Sequence, residues 1–279
     1  MRFGIKTAPQ HCTWQELLDI WRAADEAPIF ESAWNFDHFY PLTPPSEGPC
    51  LEAWVTLSAL AQATSRIRVG CMVTGVPYRH PAVLANMAAS LDIVSAGRLE
   101  LGMGAGWHQG EADAYGIDLL PMRHRMDRFE EAVEVVISLL SQEWTDFSGK
   151  HFQLERARCE PKGPQRPHPP IVIGGGGEKR TLRVAARFAN HWNMPFAPPE
   201  AFAKKREILL KHCEDVGRDA SEISCSVQIA MPADQAPEEA AANAAALAEV
   251  GVDLVIFTIR NPYRASLVEP LAKALENLG

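Results

Sequence analysis

The chain has 279 residues, of which 47% are hydrophobic and 22% charged, with a formal net charge of −8. This length suits a single α/β-barrel domain over residues 1–279 with a large buried core. The acidic balance, with no basic stretch, argues against a nucleic-acid partner. No apolar run approaches membrane-spanning length and no signal-peptide pattern opens the chain, so we expect a cytoplasmic protein without membrane contact. Six scattered cysteines lack C-x-x-C spacing, which favours free thiols over disulfides or a metal site.

Strand-like and helix-like segments alternate along the chain. A Thr13–Glu16 capping box precedes the first helical segment, and several strands are continuous apolar runs, as expected when both faces of a sheet are buried. The predicted strands span residues 3–7, 30–35, 67–74, 98–103, 170–173, 191–194, 223–229 and 253–258. The predicted helices span residues 14–27, 51–63, 81–94, 121–140, 178–188, 199–216, 237–250 and 265–278. Eight strand–helix pairs in strict alternation predict an α/β fold whose parallel strands close into a (β/α)8 TIM barrel.

One segment interrupts this alternation. Residues 147–169 are polar, contain four prolines and show no periodicity. We interpret them as an insertion after the fourth strand–helix unit, placed near the active-site face, where inserted loops often lie. A structural wrap around the outside of the barrel is the alternative.

The residues that follow the second strand include an Asp-His pair. In a barrel, residues just past the carboxyl ends of the strands face the active site. An imidazole can give or take a proton near neutral pH, so His38 and Asp37 are the candidate catalytic residues. The alternative is a loop aspartate and a hydrogen-bonded histidine without a chemical role.

The third strand ends in Cys71, Met72 and Thr74. Apolar side chains at this position are candidates for packing beneath a flat ring, and the threonine hydroxyl for bonding to its polar edge. The composition of the segment also suits an ordinary part of the core.

Alternating glycines follow the fourth strand. Gly104 and Gly106 allow the backbone to approach a ligand closely, and Trp107 and His108 come next, where we expect them to lie on the substrate side. A glycine turn with a packing tryptophan is the alternative.

Four glycines occupy the turn between the fifth strand and the helix predicted from residue 178. Backbone amides at such a turn suit a phosphate group, although the spacing matches neither a P-loop nor a dinucleotide fingerprint. The residues of this candidate phosphate site are Gly174, Gly175, Gly176 and Gly177, with Glu178 and Lys179 after them. A flexible loop is the alternative.

These clusters, in this order, resemble the luciferase-like monooxygenase superfamily, and most closely its branch of oxidoreductases that depend on coenzyme F420, a deazaflavin. The resemblance covers nearly the whole chain. It rests on residues 36–39, 79–85, 95–102, 104–107 and 171–181.

The resemblance implies a cofactor across the mouth of the barrel, with coenzyme F420 expected and FMN as the alternative. It implies a non-prolyl cis peptide at Cys71–Met72 that supports the ring, with Asp37 and His38 near the reactive edge. We expect Thr74 and Asp37 to bond to the edge of the ring. It also implies that the four-glycine turn holds the cofactor's phosphate. The expected reaction is hydride transfer between F420 and a small organic substrate, catalysed by a homodimer.

The chain departs from the F420-dependent sugar-phosphate dehydrogenases of the superfamily at two positions. Trp107 stands where they carry a catalytic glutamate, and Leu42 replaces a tryptophan after their Asp-His pair. Both differences argue against sugar-phosphate oxidation. Three alternatives stay open: an FMN-dependent monooxygenase, a flavin- or deazaflavin-binding protein without catalysis, and a metal-dependent hydrolase using Asp37, His38 and His108.

Overall fold

The structure, a computed structural model, describes residues 1–278. Its central sheet is closed, because β3 pairs with β2 on one side and with β5 on the other. Strands β3 and β4 form one interrupted barrel position, so the barrel has eight parallel positions and the predicted TIM barrel is confirmed. The strands are β1 (Arg2–Thr7), β2 (Phe30–Asn35), β3 (Arg68–Cys71), β4 (Thr74–Gly75), β5 (Leu99–Gly104), β6 (Thr145–Ser148), β7 (Gln153–Ala157), β8 (Ile171–Gly174), β9 (His191–Pro195), β10 (Ser224–Met231) and β11 (Leu254–Ile259).

In residues 1–278, eight α-helices follow the barrel strands, and one short helix, α4, lies in the connection after β5. The helices are α1 (Trp14–Glu26), α2 (Ala53–Ala63), α3 (Pro81–Val94), α4 (Gln109–Ala114), α5 (Met122–Ser141), α6 (Thr181–Phe188), α7 (Pro199–Val216), α8 (Pro237–Ala248) and α9 (Val268–Leu275). The first begins at its predicted cap, where the Glu16 amide donates to Thr13 Oγ1 at 3.2 Å and the Thr13 amide to Glu16 Oε2 at 2.7 Å. Within residues 1–278, no helix is both long and apolar enough to cross a bilayer.

Two local predictions need correction. The third strand is not continuous over 67–74, because the chain breaks from the ladder at Met72 and Val73 between β3 and β4. Helix α6 begins at Thr181 rather than at residue 178. Residues 178–180 instead form a turn that lengthens the connection after β8.

The inserted segment lies on the outside of the barrel. Its two strands, β6 and β7, form an antiparallel hairpin whose tip is fixed by Glu131 of α5, which accepts from the Lys150 and His151 amides at 2.9 and 2.8 Å. Its later part is tied to Asp92, near the carboxyl end of α3, by Gln165 Nε2 at 2.7 Å. No residue of 147–169 lines the main cavity of the described chain. The contacts with α5 and α3 favour the alternative of an outer wrap. A position near the active-site face stays a prediction, since Phe152 lies against His80 at the start of α3.

The barrel interior is divided between an apolar cluster and a polar one. The apolar cluster contains Trp34, Met72, Val172, Leu254 and Ile256. The polar side chains enter from other strands and bond to one another; they are Lys6, Glu100, His191, Asn193, Ser226 and Gln228. The helices cover the outer face of the sheet with a larger apolar core. The polar cluster extends along the barrel axis towards the carboxyl ends of the strands.

Candidate active site

A cavity of about 370 Å³ opens at the carboxyl ends of the barrel strands. Its size lies within the range of small-molecule pockets in proteins. Of the predicted site residues, those that line it are Asp37, His38, Met72, Gly104, Gly106, Trp107, Gly174 and Gly175. The structure therefore brings the loops after β2, β3, β5 and β8 to one pocket, as expected for a barrel.

His38 is held at the cavity by a carboxylate that sequence reasoning missed. Its Nδ1 lies 2.9 Å from Oε2 of Glu111, a fully buried residue of α4. Because a carboxylate only accepts, the imidazole donates from Nδ1 and its Nε2 is left for another partner. This arrangement can hold and move a proton at Nε2.

Glu111 is itself fixed by three further hydrogen bonds. The backbone amides of Phe39 and Tyr40 donate to its Oε1, and the Tyr78 hydroxyl donates to its Oε2 at 2.5 Å. Burial raises the pKa of Glu111, but the bonds from His38, Tyr78 and Phe39 outweigh it and lower this pKa to about 2. The signal in the sequence was an acidic residue in the connection after the fourth predicted strand.

Acid should destabilise the protein through Glu111. Its pKa in the folded state, about 2, lies below its ordinary value of 4.5. Its contribution is therefore complete above pH 4.5 and is lost as the pH falls towards 2. We expect this group to contribute about 3 kcal/mol to the fall in unfolding free energy over that range.

Chemical denaturation at pH 6 and pH 3 measures this effect. Glu111→Gln should show a smaller loss of stability at pH 3 than the unaltered protein, whereas exposed Glu143→Gln should lose as much as the unaltered protein does. Equal acid sensitivity of all three proteins would contradict the prediction.

Asp37 is bound to a guanidinium group. Its Oδ1 lies 3.0 Å from Arg79 Nη2, its Oδ2 lies 2.5 Å from Arg79 Nη1, and the Gly75 amide donates to Oδ2 at 2.9 Å. Only 1% of Asp37 is exposed. Through these contacts the Asp37 carboxylate fixes the loop beside His38. This role differs from the predicted bond of Asp37 to a cofactor ring. Arg79 belongs to the segment 79–85 that carries part of the family resemblance, but no role was predicted for it.

The non-prolyl cis peptide lies at Met72–Val73, so its predicted place at Cys71–Met72 is wrong by one residue. Val73 then fills the space between two neighbouring strands. A Cβ on Gly104 would stand 2.5 Å from Val73 Cγ2, and one on Gly174 would stand 2.9 Å from Val73 Cγ1. The packing of Val73 therefore requires these two glycines. Both also line the cavity, and their close approach to a ligand stays a prediction.

Seven predicted site residues do not line the cavity: Gly176, Gly177, Glu178 and Lys179 of the turn after β8, and Cys71, Thr74 and His108. Cys71 is buried behind the bulge, and burial raises its pKa above the ordinary range. Thr74 is fully buried, and its hydroxyl accepts from Trp54 Nε1 at 3.2 Å. His108 caps α4, because its Nδ1 accepts from the Glu111 amide at 3.0 Å. The last contact helps to place Glu111.

The four-glycine turn is only partly available to a ligand. The Gly175 amide already donates to the Asn193 carbonyl at 2.9 Å. Within the described chain, the amides of Gly176 and Gly177 have no protein acceptor. Two lysines accompany them, since Lys179 is exposed and Lys205 lies beside Gly176, where it pairs with Glu178 at 2.7 Å.

The geometry does not assemble the metal site of the hydrolase alternative. Asp37 is engaged by Arg79, and His108 by the amide of Glu111. The one group of three possible ligands found among residues 1–278 is His124, Asp127 and His151, on the outside of α5. There Arg180 already pairs with Asp127 at 2.8 Å.

The sequence profile of the luciferase-like monooxygenases matches residues 1–277. The chain belongs to this family. The chain is similar to an F420-dependent hydroxymycolic acid dehydrogenase of Mycobacterium tuberculosis. The two are 32% identical over 193 residues, which cover 68% of this luciferase-like chain and 51% of that protein. An F420-dependent glucose-6-phosphate dehydrogenase of Kineococcus radiotolerans is 29% identical over 250 residues, covering 87% and 71%. The chain spans about half the length of the first curated relatives that it matches.

A solved structure shares the fold of this luciferase-like protein. It is an F420-dependent secondary alcohol dehydrogenase in complex with an F420–acetone adduct. The two superpose with a TM-score of 0.87 over 98% of this chain and 97% of the other, at 18% identity. The likeness agrees with the closed barrel described above.

Proposed function

We propose that the protein is an oxidoreductase that transfers a hydride between a small organic substrate and coenzyme F420. The observation that carries the proposal is the His38–Glu111 pair at the cavity, 2.9 Å apart. The curated relatives named as F420-dependent dehydrogenases support the choice of cofactor. Bound F420 supplies the carbon centre, C5, that accepts or delivers the hydride.

His38 is the proton carrier of this proposal. When an alcohol is oxidised, its carbon loses a hydride and its hydroxyl loses a proton, which Nε2 of His38 accepts; in ketone reduction, Nε2 returns it. Glu111 keeps the other nitrogen as a donor and stabilises the charged ring that results. Asp37 and Arg79 fix the loop that carries His38, and so act by positioning it.

The residues after β8 fit the anionic part of such a cofactor. The amides of Gly176 and Gly177 are available, and Lys179 and Lys205 add positive charge at the same turn. Met72 and Val73 supply an apolar surface at the cavity for a flat ring. The cavity volume of about 370 Å³ suits a flat ring.

Cofactor choice is tested by titrating the purified protein with F420 and with FMN in a calorimeter. We expect F420 to bind more tightly, whereas tighter binding of FMN would favour the monooxygenase alternative. Following F420 absorbance with a panel of alcohols and ketones then tests turnover. Tight binding without turnover across this panel would favour the non-catalytic alternative.

Replacing Lys179 by alanine should weaken F420 binding about 10-fold, because a charged hydrogen bond or ion pair to the anionic tail is lost. Lys273→Ala, on α9, is the matched control and should bind as the unaltered protein does. Calorimetric dissociation constants decide between them. Equal affinities of the two variants for F420 would show that the phosphate of the cofactor does not bind at this turn.

Three further expectations stay predictions. They are the homodimer, the cytoplasmic location and the absence of a nucleic-acid partner. Sedimentation velocity of the purified protein tests the first.

A further inference from the structure

Lys6 is a buried cation whose hydrogen-bond partners are neutral acceptors. It is the penultimate residue of β1, is 9% exposed and lines the cavity. Its ammonium donates to the Met72 carbonyl at 3.0 Å and to Gln228 Oε1 at 2.8 Å. Within residues 1–278, no carboxylate pairs with it. Buried lysines normally have such a partner, so the positive charge at this end of the cavity is left unbalanced.

The groups below Lys6 form a hydrogen-bond chain with a defined direction. Gln228 presents its oxygen to Lys6, and its Nε2 donates to Asn193 Oδ1 at 2.6 Å. The Asn193 Nδ2 group then donates to Ser226 Oγ at 2.8 Å. Each amide oxygen therefore points towards the ammonium and each amide nitrogen away from it.

The same direction continues to the far side of the barrel. His191 Nδ1 lies 3.2 Å from Oε2 of Glu100, so this nitrogen donates, and its Nε2 lies 2.5 Å from Ser226 Oγ. Burial raises the pKa of Glu100, but His191 and Arg68 outweigh it and lower this pKa to about 2. The chain thus runs from a cation at the cavity to a distant carboxylate, which Arg68 already pairs with at 2.7 Å.

This arrangement keeps Lys6 charged although it is desolvated. The aligned amide dipoles favour the charged ammonium. The carboxylate at the other end of the hydrogen-bond chain, Glu100, already forms an ion pair with Arg68. Burial lowers the pKa of Lys6 to about 8, with Cys71 raising and Arg260 lowering it by smaller amounts, so the charged form prevails at pH 7. The negative charge that would neutralise it has to come from the cavity side.

We propose that Lys6 is the counter-charge for the reduced form of the cofactor ring. The inference rests on the proposed function. Hydride transfer moves two electrons and one proton from the substrate carbon to C5, so the ring becomes more negative by one charge until a second proton arrives. A fixed ammonium at the floor of the cavity favours that product, and hence binds reduced F420 more tightly than oxidised F420.

Dissociation constants of oxidised and reduced F420, measured anaerobically for the unaltered protein, Lys6→Met and Lys6→Gln, test the inference. Both variants remove the charge, and Lys6→Gln keeps a hydrogen-bond donor if Lys6→Met fails to fold. We expect the preference for the reduced form to fall about 10-fold in both, equivalent to lowering the midpoint potential of the bound cofactor by about 30 mV.

The outcomes separate the two proposals. An unaltered reduced-to-oxidised ratio in the variants would overturn the role of Lys6 and leave the proposed function intact. Failure of the unaltered protein to bind either form would overturn the proposed function, and the role of Lys6 with it. A loss of affinity that is equal for both forms would show that Lys6 only shapes the cavity, and would also overturn its role.

Discussion

Replacing His38 by glutamine should lower kcat by about 10²–10⁴, with the dissociation constant of F420 unchanged. Glutamine can still accept a hydrogen bond, but it cannot hold a proton that it takes from, or returns to, a substrate oxygen. The Glu111 carboxylate remains in place, because its bonds to Tyr78 and to the amides of Phe39 and Tyr40 do not depend on the imidazole. The measurement is single-turnover absorbance of F420 beside calorimetric binding.

His124→Gln provides the matched control for this prediction, since His124 lies on α5, outside the cavity. It should keep both kcat and affinity. If His38→Gln turns over as fast as His124→Gln, another group carries the proton. Loss of F420 binding in His38→Gln would instead make His38 a binding residue.

Replacing Gly102 by alanine should destabilise the fold by about 3 kcal/mol. A Cβ at this position would stand 2.0 Å from the Cys71 carbonyl oxygen and 3.2 Å from Val73 Cγ1. The obstacle is the backbone of the neighbouring strand, which cannot turn aside as a side chain can. One of the two strands has to shift, and the bulge at Met72–Val73 moves with it.

Urea denaturation of Gly102→Ala and of Gly110→Ala measures this effect. At Gly110, in α4, the nearest atom to a new Cβ would be His108 Cε1 at 3.7 Å, an ordinary contact. This control should lose little or no stability, and Ala suits a helix better than Gly. Equal stability of the two variants would show that the strands adjust freely around the bulge.

The fold was predictable because its signals are local. Apolar runs, helical spacing and the Thr13–Glu16 cap each depend on neighbouring residues, and eight alternations permit few topologies. The start of α6 was missed, because residues 178–180 carry helix-forming side chains but have to complete the turn after the glycines. The contacts of residues 147–169 could not be predicted, because the bonds to Glu131 and Asp92 join positions that are distant in the sequence.

The site was predictable at the strand ends and obscure elsewhere. The rule for barrel strands placed His38 and Trp107 at one cavity, as the structure does. Glu111 was missed because a single acidic residue on a six-residue helix is indistinguishable in sequence from a solvated one. Lys6 stands out in the sequence as the charged residue of the predicted strand 3–7, but its hydrogen-bond partners lie on β10 and on the bulge after β3. These partners come together only through the strand register of the closed sheet, which the sequence does not show.

The position of Trp107 makes its fluorescence a probe of ligand binding at the cavity. Its side chain is 64% exposed at the mouth, and its ring centroid lies 5.6 Å from that of His38. Indole fluorescence that is lost in a Trp107→Phe variant therefore reports the arrival of a ligand at the cavity, without labelling.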